Sequence, residues 1–274
     1  MMQKLKLGVM APLKRGAVAT IKAVHDFGLP TCQIDCWEGE LLTDEVADQL
    51  AAAADEYDVE ITTIWTGTPG PHLWDFVRGP TSIGLVPPEY REERVATLKQ
   101  GADFAARVGV PSITTHVGFI PENLTDPLYP GLLDALREVV EYCGERDIGF
   151  WFETGQETPV VLLRVFEDLG YSNLGINLDP ANLLMYGKAN PVDALDVIGQ
   201  FVRGVHAKDG EYPTNGRELG VEKPLGKGRV NFPVLIAKLK GLGYTGALTI
   251  EREISGSQQA KDIREAIAML SQLV

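Results

Sequence analysis

The sequence predicts an α/β fold, a single (β/α)8 TIM barrel over residues 1–274, on three observations. Eight short apolar runs alternate with eight longer segments of helical period, the pattern of a parallel sheet wrapped by helices. A length of 274 residues matches one such barrel, and no composition shift marks the start of a second domain. Four of the runs end on a side chain able to hold a metal: Glu153, Asp179, His206 and Glu251. Strand tips converge on one face of this fold, where active sites are built.

The elements follow in order. A strand at Leu5–Val9 leads to a helix over Ala17–Phe27, closed by Gly28. Thr31–Asp35 is the second strand, and Thr43-Asp44-Glu45 opens the next helix, to Tyr57, with a cap-like residue. The third strand, Glu60–Ile64, precedes a helix over Glu89–Val108 that Gly109 ends. Pro111–Thr115 and Pro130–Arg146 form the fourth unit, and Ile148–Phe152 and Pro159–Leu169 the fifth. Leu174–Leu178 and Pro191–Gly199 make the sixth. Phe201–Val205 and Phe232–Gly241 make the seventh, and Ala247–Ile250 and Gln258–Leu273 the eighth. Two connections exceed the usual loop length, Trp65–Pro88 and Asp209–Val230, both rich in Gly, Pro and polar residues. Each follows a strand tip, which makes both candidates for a substrate lid.

Composition narrows the partners. Thirty-eight acidic residues against 25 basic ones give a net charge of −13, which repels a phosphate backbone, and no basic stripe is interleaved with aromatics. No nucleic acid is expected; a small neutral or locally neutralised molecule is. No apolar stretch approaches membrane-spanning length, and Met1-Met2-Gln3-Lys4-Leu5-Lys6 lacks a secretory apolar region, so no membrane partner is expected either. Cys32, Cys36 and Cys143 are odd in number, and the first two lack the further thiols a metal would need. Buried free thiols in a reducing cytoplasm are the expectation.

Three carboxylates and one imidazole carry a charge of about −3 and repel one another when empty. One divalent cation is the expected occupant: Mn²⁺, Mg²⁺ or Co²⁺ suits the oxygen-rich set, and Zn²⁺ is compatible. The plainer alternative is that Glu153 and Asp179 cap the helices that follow them.

Phe150-Trp151-Phe152-Glu153-Thr154-Gly155-Gln156-Glu157, Asn177-Leu178-Asp179-Pro180-Ala181-Asn182-Leu183, Val205-His206-Ala207-Lys208-Asp209, the stretch from Pro224 to Phe232, and Ile250-Glu251-Arg252-Glu253 carry a resemblance. The chain resembles the xylose isomerase-like TIM-barrel superfamily, and within it the sugar phosphate isomerase/epimerase group of D-tagatose 3-epimerase and inosose isomerase. The resemblance implies a carbohydrate substrate and a homodimer or homotetramer. It also implies that Glu153 and Glu251 both ligate the metal and serve as catalytic acid and base. The chemistry agrees: deprotonation beside a ketose carbonyl gives a cis-enediolate, and proton return from the opposite face inverts the carbon. Where the epimerase pattern has a substrate-contacting His, three residues after the metal-binding Asp, this chain has Asn182. Asn hydrogen-bonds a hydroxyl but does not titrate near neutrality, so the resemblance leaves the choice of sugar open.

Other residues are open between binding and structural roles. His116 ends the fourth strand and suits either a substrate hydrogen bond or a satisfied structural histidine; His25 and His72 read as packing or surface residues. Lys208 offers either a substrate contact or a salt bridge to Glu153 or Asp209. Trp37, beside Glu38, and Trp65 suit stacking on a sugar face or rim packing. Arg217, with Lys227 and Arg229, supplies lid cations for a distal hydroxyl or phosphate. Gly226-Lys227-Gly228 lacks the remaining residues of a nucleotide phosphate loop.

The function expected is a divalent-metal-dependent isomerase or epimerase of keto-sugars or related polyol ketones. A dehydratase using the same enediolate is the alternative. An endonuclease IV-like phosphodiesterase needs a histidine-rich zinc cluster that four histidines supply poorly. A non-enzymatic sugar-binding barrel is the remaining class.

Overall fold

A computed structural model describes residues 4–274, so Met1, Met2 and Gln3 of the amino-terminal reading lie outside the described residues. Its strands are β1 (Leu7–Pro12), β2 (Thr31–Cys36), β3 (Glu60–Thr66), β4 (Ser112–Thr115), β5 (Gly149–Glu153), β6 (Leu174–Leu178), β7 (Val202–Ala207), β8 (Asp209–Gly210), β9 (Glu222–Lys223) and β10 (Leu248–Ile250). Eight of them close a barrel in the order β1-β2-β3-β4-β5-β6-β7-β10, with every neighbouring pair parallel. The other two, β8 and β9, form a small antiparallel ribbon. The predicted barrel is the observed one.

The helices are α1 (Ala17–Asp26), α2 (Asp44–Tyr57), α3 (Pro88–Val108), α4 (Leu128–Gly144), α5 (Pro159–Leu169), α6 (Pro180–Met185), α7 (Pro191–Ile198), α8 (Phe232–Gly241) and α9 (Ser257–Leu270). Thr43, Thr158, Asn190 and Asn231 cap α2, α5, α7 and α8 by accepting from backbone N–H groups in their first turns. Ile34, Ile64 and Ile113 are fully buried, as are helix residues such as Leu50, Leu98 and Leu136, in one continuous core. The barrel also encloses buried polar side chains. Gln33 Nε2 donates to Asn177 Oδ1 at 2.9 Å, and the hydroxyls of Thr63 and Thr114 lie 3.0 Å apart.

Boundaries slid by a few residues. β1 starts at Leu7 and runs on to Pro12, because pairing with β2 continues as far as Pro12 opposite Asp35. β7 runs to Ala207, placing His206 inside the strand. Unpredicted are α6 and the ribbon, each too short to show a period.

Both long connections are anchored. Arg94 of α3 is fully buried, and its guanidinium donates to the carbonyls of Pro69 (3.0 Å), Gly84 (2.6 Å) and Pro71 (3.0 Å). Gly84 and Gly118 cross at close range: both have positive φ, and a Cβ on either would strike the other loop's backbone. In the second connection, Asp209 Oδ1 accepts from Gly210 and Val230 at 2.9 Å each. Its Oδ2 accepts from Gly226 at 2.9 Å and Gly228 at 3.0 Å. Gly228 has to be glycine, since a Cβ there would meet that carboxylate.

Candidate metal centre

Glu153 is the last residue of β5, Asp179 follows β6, His206 lies in β7 and Glu251 follows β10. One ligand atom from each falls within 4.8 Å of all the others. His206 Nδ1 is 3.0 Å from Glu251 Oε2, 3.3 Å from Glu153 Oε1 and 3.7 Å from Asp179 Oδ2. Asp179 serves both readings made from sequence: Oδ1 caps α6 by accepting from Asn182 N at 2.8 Å, while Oδ2 faces the cluster. Thr154 ties the two tips together, accepting from Asp179 N at 2.8 Å and donating to its carbonyl at 2.9 Å.

Three of the converging atoms, Asp179 Oδ2, His206 Nδ1 and Glu251 Oε2, are buried without a hydrogen-bond partner. Buried polar atoms without hydrogen bonds are costly; Lys208 Nζ, 3.4 Å from Asp179 Oδ2 and 3.3 Å from Glu251 Oε2, offsets part of that cost, and the three atoms still point at one spot as the ligands of a cation do. On the far side of the imidazole, Nε2 lies 2.8 Å from Gln33 Oε1 and 2.9 Å from Asn177 Nδ2. Donation from Nε2 to Gln33 leaves the Nδ1 lone pair directed at the cluster, as a metal ligand needs. The donor set and its outer support fit a hard divalent ion.

Charges interlock here. Burial disfavours the ionised form of all three carboxylates, yet the net shift is downward. His116 and His206 hold Glu153 down, and Lys208 and His206 hold Asp179 and Glu251 down. Burial likewise opposes charge on His206, but Glu153 and Glu251 outweigh it and raise its pKa. The field that favours that proton favours a divalent cation in its place. Lys208 Nζ sits 2.8 Å from Glu253, 3.3 Å from Glu251 and 3.4 Å from Asp179.

A cavity of about 550 Å³ opens over the cluster, with Glu153 and Glu251 in its lining. Trp37, Trp65, Trp74 and His116 make an aromatic wall, with Trp37 and Trp65 ring centroids 4.8 Å apart. Trp65 Nε1 donates to Glu153 Oε2, and Asn182 Nδ2 to Glu153 Oε1 at 3.2 Å. Another groove, of about 690 Å³, lies at the opposite end of β5 around Gly149 and holds none of the four cluster residues.

The sequence-predicted binding residues divide. Trp37, Trp65, His116 and Asn182 line this cavity. Lys208 is buried beside the cluster, and its carboxylate partners are Asp179, Glu251 and Glu253 rather than Glu153 or Asp209. Arg217 is exposed on the outer part of the second long loop and is not in the cavity wall; Lys227 is exposed too. The lid-cation expectation therefore does not match the place of Arg217: residues 214–218 are exposed, while Leu219 of the same loop lines the cavity and Gly220 N donates to Met185 O at 2.8 Å.

Sequence reasoning missed Gln33, Asn177, Trp74, Glu253 and Asp35. A Gln inside an apolar strand was the available signal for the first, since it has to find a partner once buried. Asp35 lines the cavity with Oδ1 unpartnered, and burial, helped by Glu251, pushes its carboxyl up to about 7. The three cysteines are buried and free, and burial pushes their thiols up to about 12. Among the described residues no helix is long and apolar enough to cross a membrane.

A family model described as "Xylose isomerase-like TIM barrel" matches residues 21–273. A solved xylose isomerase domain protein from Planctomyces limnophilus is 34% identical with a TM-score of 0.93, covering 99% of this chain and 98% of that one. An uncharacterised protein of Methanocaldococcus jannaschii is 25% identical over 276 residues, covering 96% of this chain and 86% of its own. A solved D-tagatose 3-epimerase-like protein is 22% identical with a TM-score of 0.75, covering 98% and 99%, and shows a shared fold.

Proposed function

Since this chain belongs to the xylose isomerase-like TIM-barrel family, we propose that it is a divalent-metal-dependent isomerase or epimerase of a small keto-sugar or related polyol ketone. The observation that carries the reading is the convergence of Glu153, Asp179, His206 and Glu251, with three orphaned buried atoms aimed at one another beneath a cavity. Mg²⁺, Mn²⁺ or Co²⁺ suits these donors. Bound there, the cation supplies Lewis-acid stabilisation of the negative charge that develops on a substrate oxygen.

The protein's own groups do the rest. Glu153 and Glu251 stand three strands apart around the ring of eight, so they approach a bound substrate from different sides. One takes the proton beside the carbonyl, leaving a cis-enediolate, and the other returns it to the opposite face. Trp65 and Asn182 fix both oxygens of Glu153 before substrate arrives, which lowers the cost of orientation. Lys208 keeps Asp179 and Glu251 ionised. The aromatic wall offers a flat apolar surface to the C–H face of a sugar and keeps water from the intermediate. The cluster draws on one imidazole, a poor match for a histidine-rich phosphodiesterase centre.

The test has two readouts. After dialysis against chelator, His206→Ala and Asp179→Asn are expected to retain much less Mn²⁺ than the parent chain, at least tenfold less tightly held. In D₂O with Mn²⁺, a panel of ketoses and keto-inositols is expected to show deuterium beside the carbonyl. Glu153→Gln and Glu251→Gln should each slow exchange by about 10² or more. Unchanged metal affinity in both ligand variants, or turnover without solvent deuterium, would overturn the scheme.

A further inference from the structure

We propose that Lys14 and Arg15 form an anion subsite at the rim of this cavity, so that the substrate carries a phosphate or carboxylate remote from its reacting carbon. The inference rests on reading the cavity as the substrate site. Both residues line it, on a single 3-10 turn (Leu13–Arg15) directly after β1. The turn is firmly seated: Leu13 is 1% exposed, Gly16 N donates to its carbonyl at 2.8 Å, and Thr20 Oγ1 donates to Pro12 O at 2.8 Å. A buried anchor holds the backbone while two cationic side chains are left at the opening.

These cations are uncommitted. Arg252, the other cation in the lining, is held by Glu222 at 2.7 Å and Asp262 at 2.8 Å. Lys208 is held by three carboxylates. Among the described residues that line the cavity, Lys14 and Arg15 are the cations with no carboxylate within 4.0 Å. In a chain of net charge −13, two adjacent cations at one rim stand without an ion-pair partner, on the side of a lining whose carboxylates Glu251 and Glu253 are already faced by Lys208. Asp35 shares this wall; burial and then Glu251 push its carboxyl up to about 7, while the Lys14 charge draws it down. An arginine fork beside a lysine point charge suits the oxygens of a phosphate or carboxylate.

Binding is measured by calorimetry, on metal-free and Mn²⁺-loaded protein, with D-fructose, D-fructose 6-phosphate and D-fructuronate. At least one charged probe is expected to bind about tenfold more tightly than D-fructose, the scale of one charge-assisted hydrogen bond. In Lys14→Ala/Arg15→Ala that advantage should vanish while D-fructose binding is unchanged, and Arg15→Lys should retain part of it. Preference for the phosphate alone assigns a phosphosugar; preference for the uronate alone assigns a sugar acid. Equal binding of all three probes, no binding of any, or a preference that survives the double substitution overturns the subsite. No turnover is required, so the result stands apart from the proton-transfer scheme. Deuterium exchange into neutral ketoses without a charge preference would leave that scheme in place and remove this one.

Discussion

The two long connections solve one problem with opposite charges. The loop between β3 and α3 contains prolines at 69, 71, 80 and 87, so it is short of N–H donors and long on carbonyls. Its anchor is a buried cation, Arg94, which catches three of those carbonyls. The connection between β7 and α8 closes on Gly226, Lys227 and Gly228, a turn that presents N–H groups, and its anchor is a buried anion, Asp209, which accepts four. Backbone composition decides the sign of the charge needed to hold a loop. The results differ in extent. Arg94 grips the first loop near both ends and sets the wall that carries His72 and Trp74, whereas Asp209 grips only the base of the second and leaves residues 214–218 exposed.

The comparison breaks most visibly at Arg94. Arg94→Met keeps the aliphatic stem but orphans three carbonyls, so a loss of about 3 kcal/mol is expected at roughly 1 kcal/mol each. Urea unfolding measures it; new protease cleavage should appear between residues 67 and 87, with the second loop intact. Cleavage spread over both loops would show that they do not move independently.

Asp209→Asn is milder, since one side-chain oxygen still accepts while the amide group opposes two of the four donors. About 1–2 kcal/mol is expected, with cleavage confined to residues 209–230. A loss equal to that in Arg94→Met would mean that the two anchors hold equally.

The smallest effect separates the loops by pH. Burial, and then the Arg94 charge, lower His72 to about 4, below its usual 6.5. The unfolded loop therefore binds a proton at a higher pH than the folded one. Folding of the first loop should weaken as pH falls from about 6.5 to about 4, with no further loss from this group below that. Protection factors at residues 68–76, the exchange rate taken against the intrinsic rate at each pH, should fall over that window in the parent chain, less so in His72→Gln, and not at all in 222–230. Identical profiles in the two loops would assign the effect elsewhere.

Much of the fold is legible because barrel strands repeat one message: an apolar run, a functional tip, a helix. Glu153, Asp179, His206 and Glu251 could be read from tips alone, since each is a local break in an apolar run. What supports them could not. Gln33 and Asn177 meet across 144 positions of chain, and no local pattern reports that distance. Arg94 sits in Glu89-Tyr90-Arg91-Glu92-Glu93-Arg94, which reads as a solvated helix face, yet one member of that run is buried because a loop folds over it. Arg217 shows the converse: a loop cation looks available to a substrate until the loop's anchor is known.

The crossing of Gly84 over Gly118 has a consequence for how such a barrel can diversify. Leu85 N donates to Val117 O at 2.8 Å beside the crossing, so two loops from different units are fastened where neither tolerates a side chain. Lengthening either loop at that point would unseat both. Variation compatible with the fold is thereby channelled into residues 72–78, which hang between the crossing and the cavity. A laboratory library seeking new specificities would do best to randomise that segment and hold the two glycines fixed.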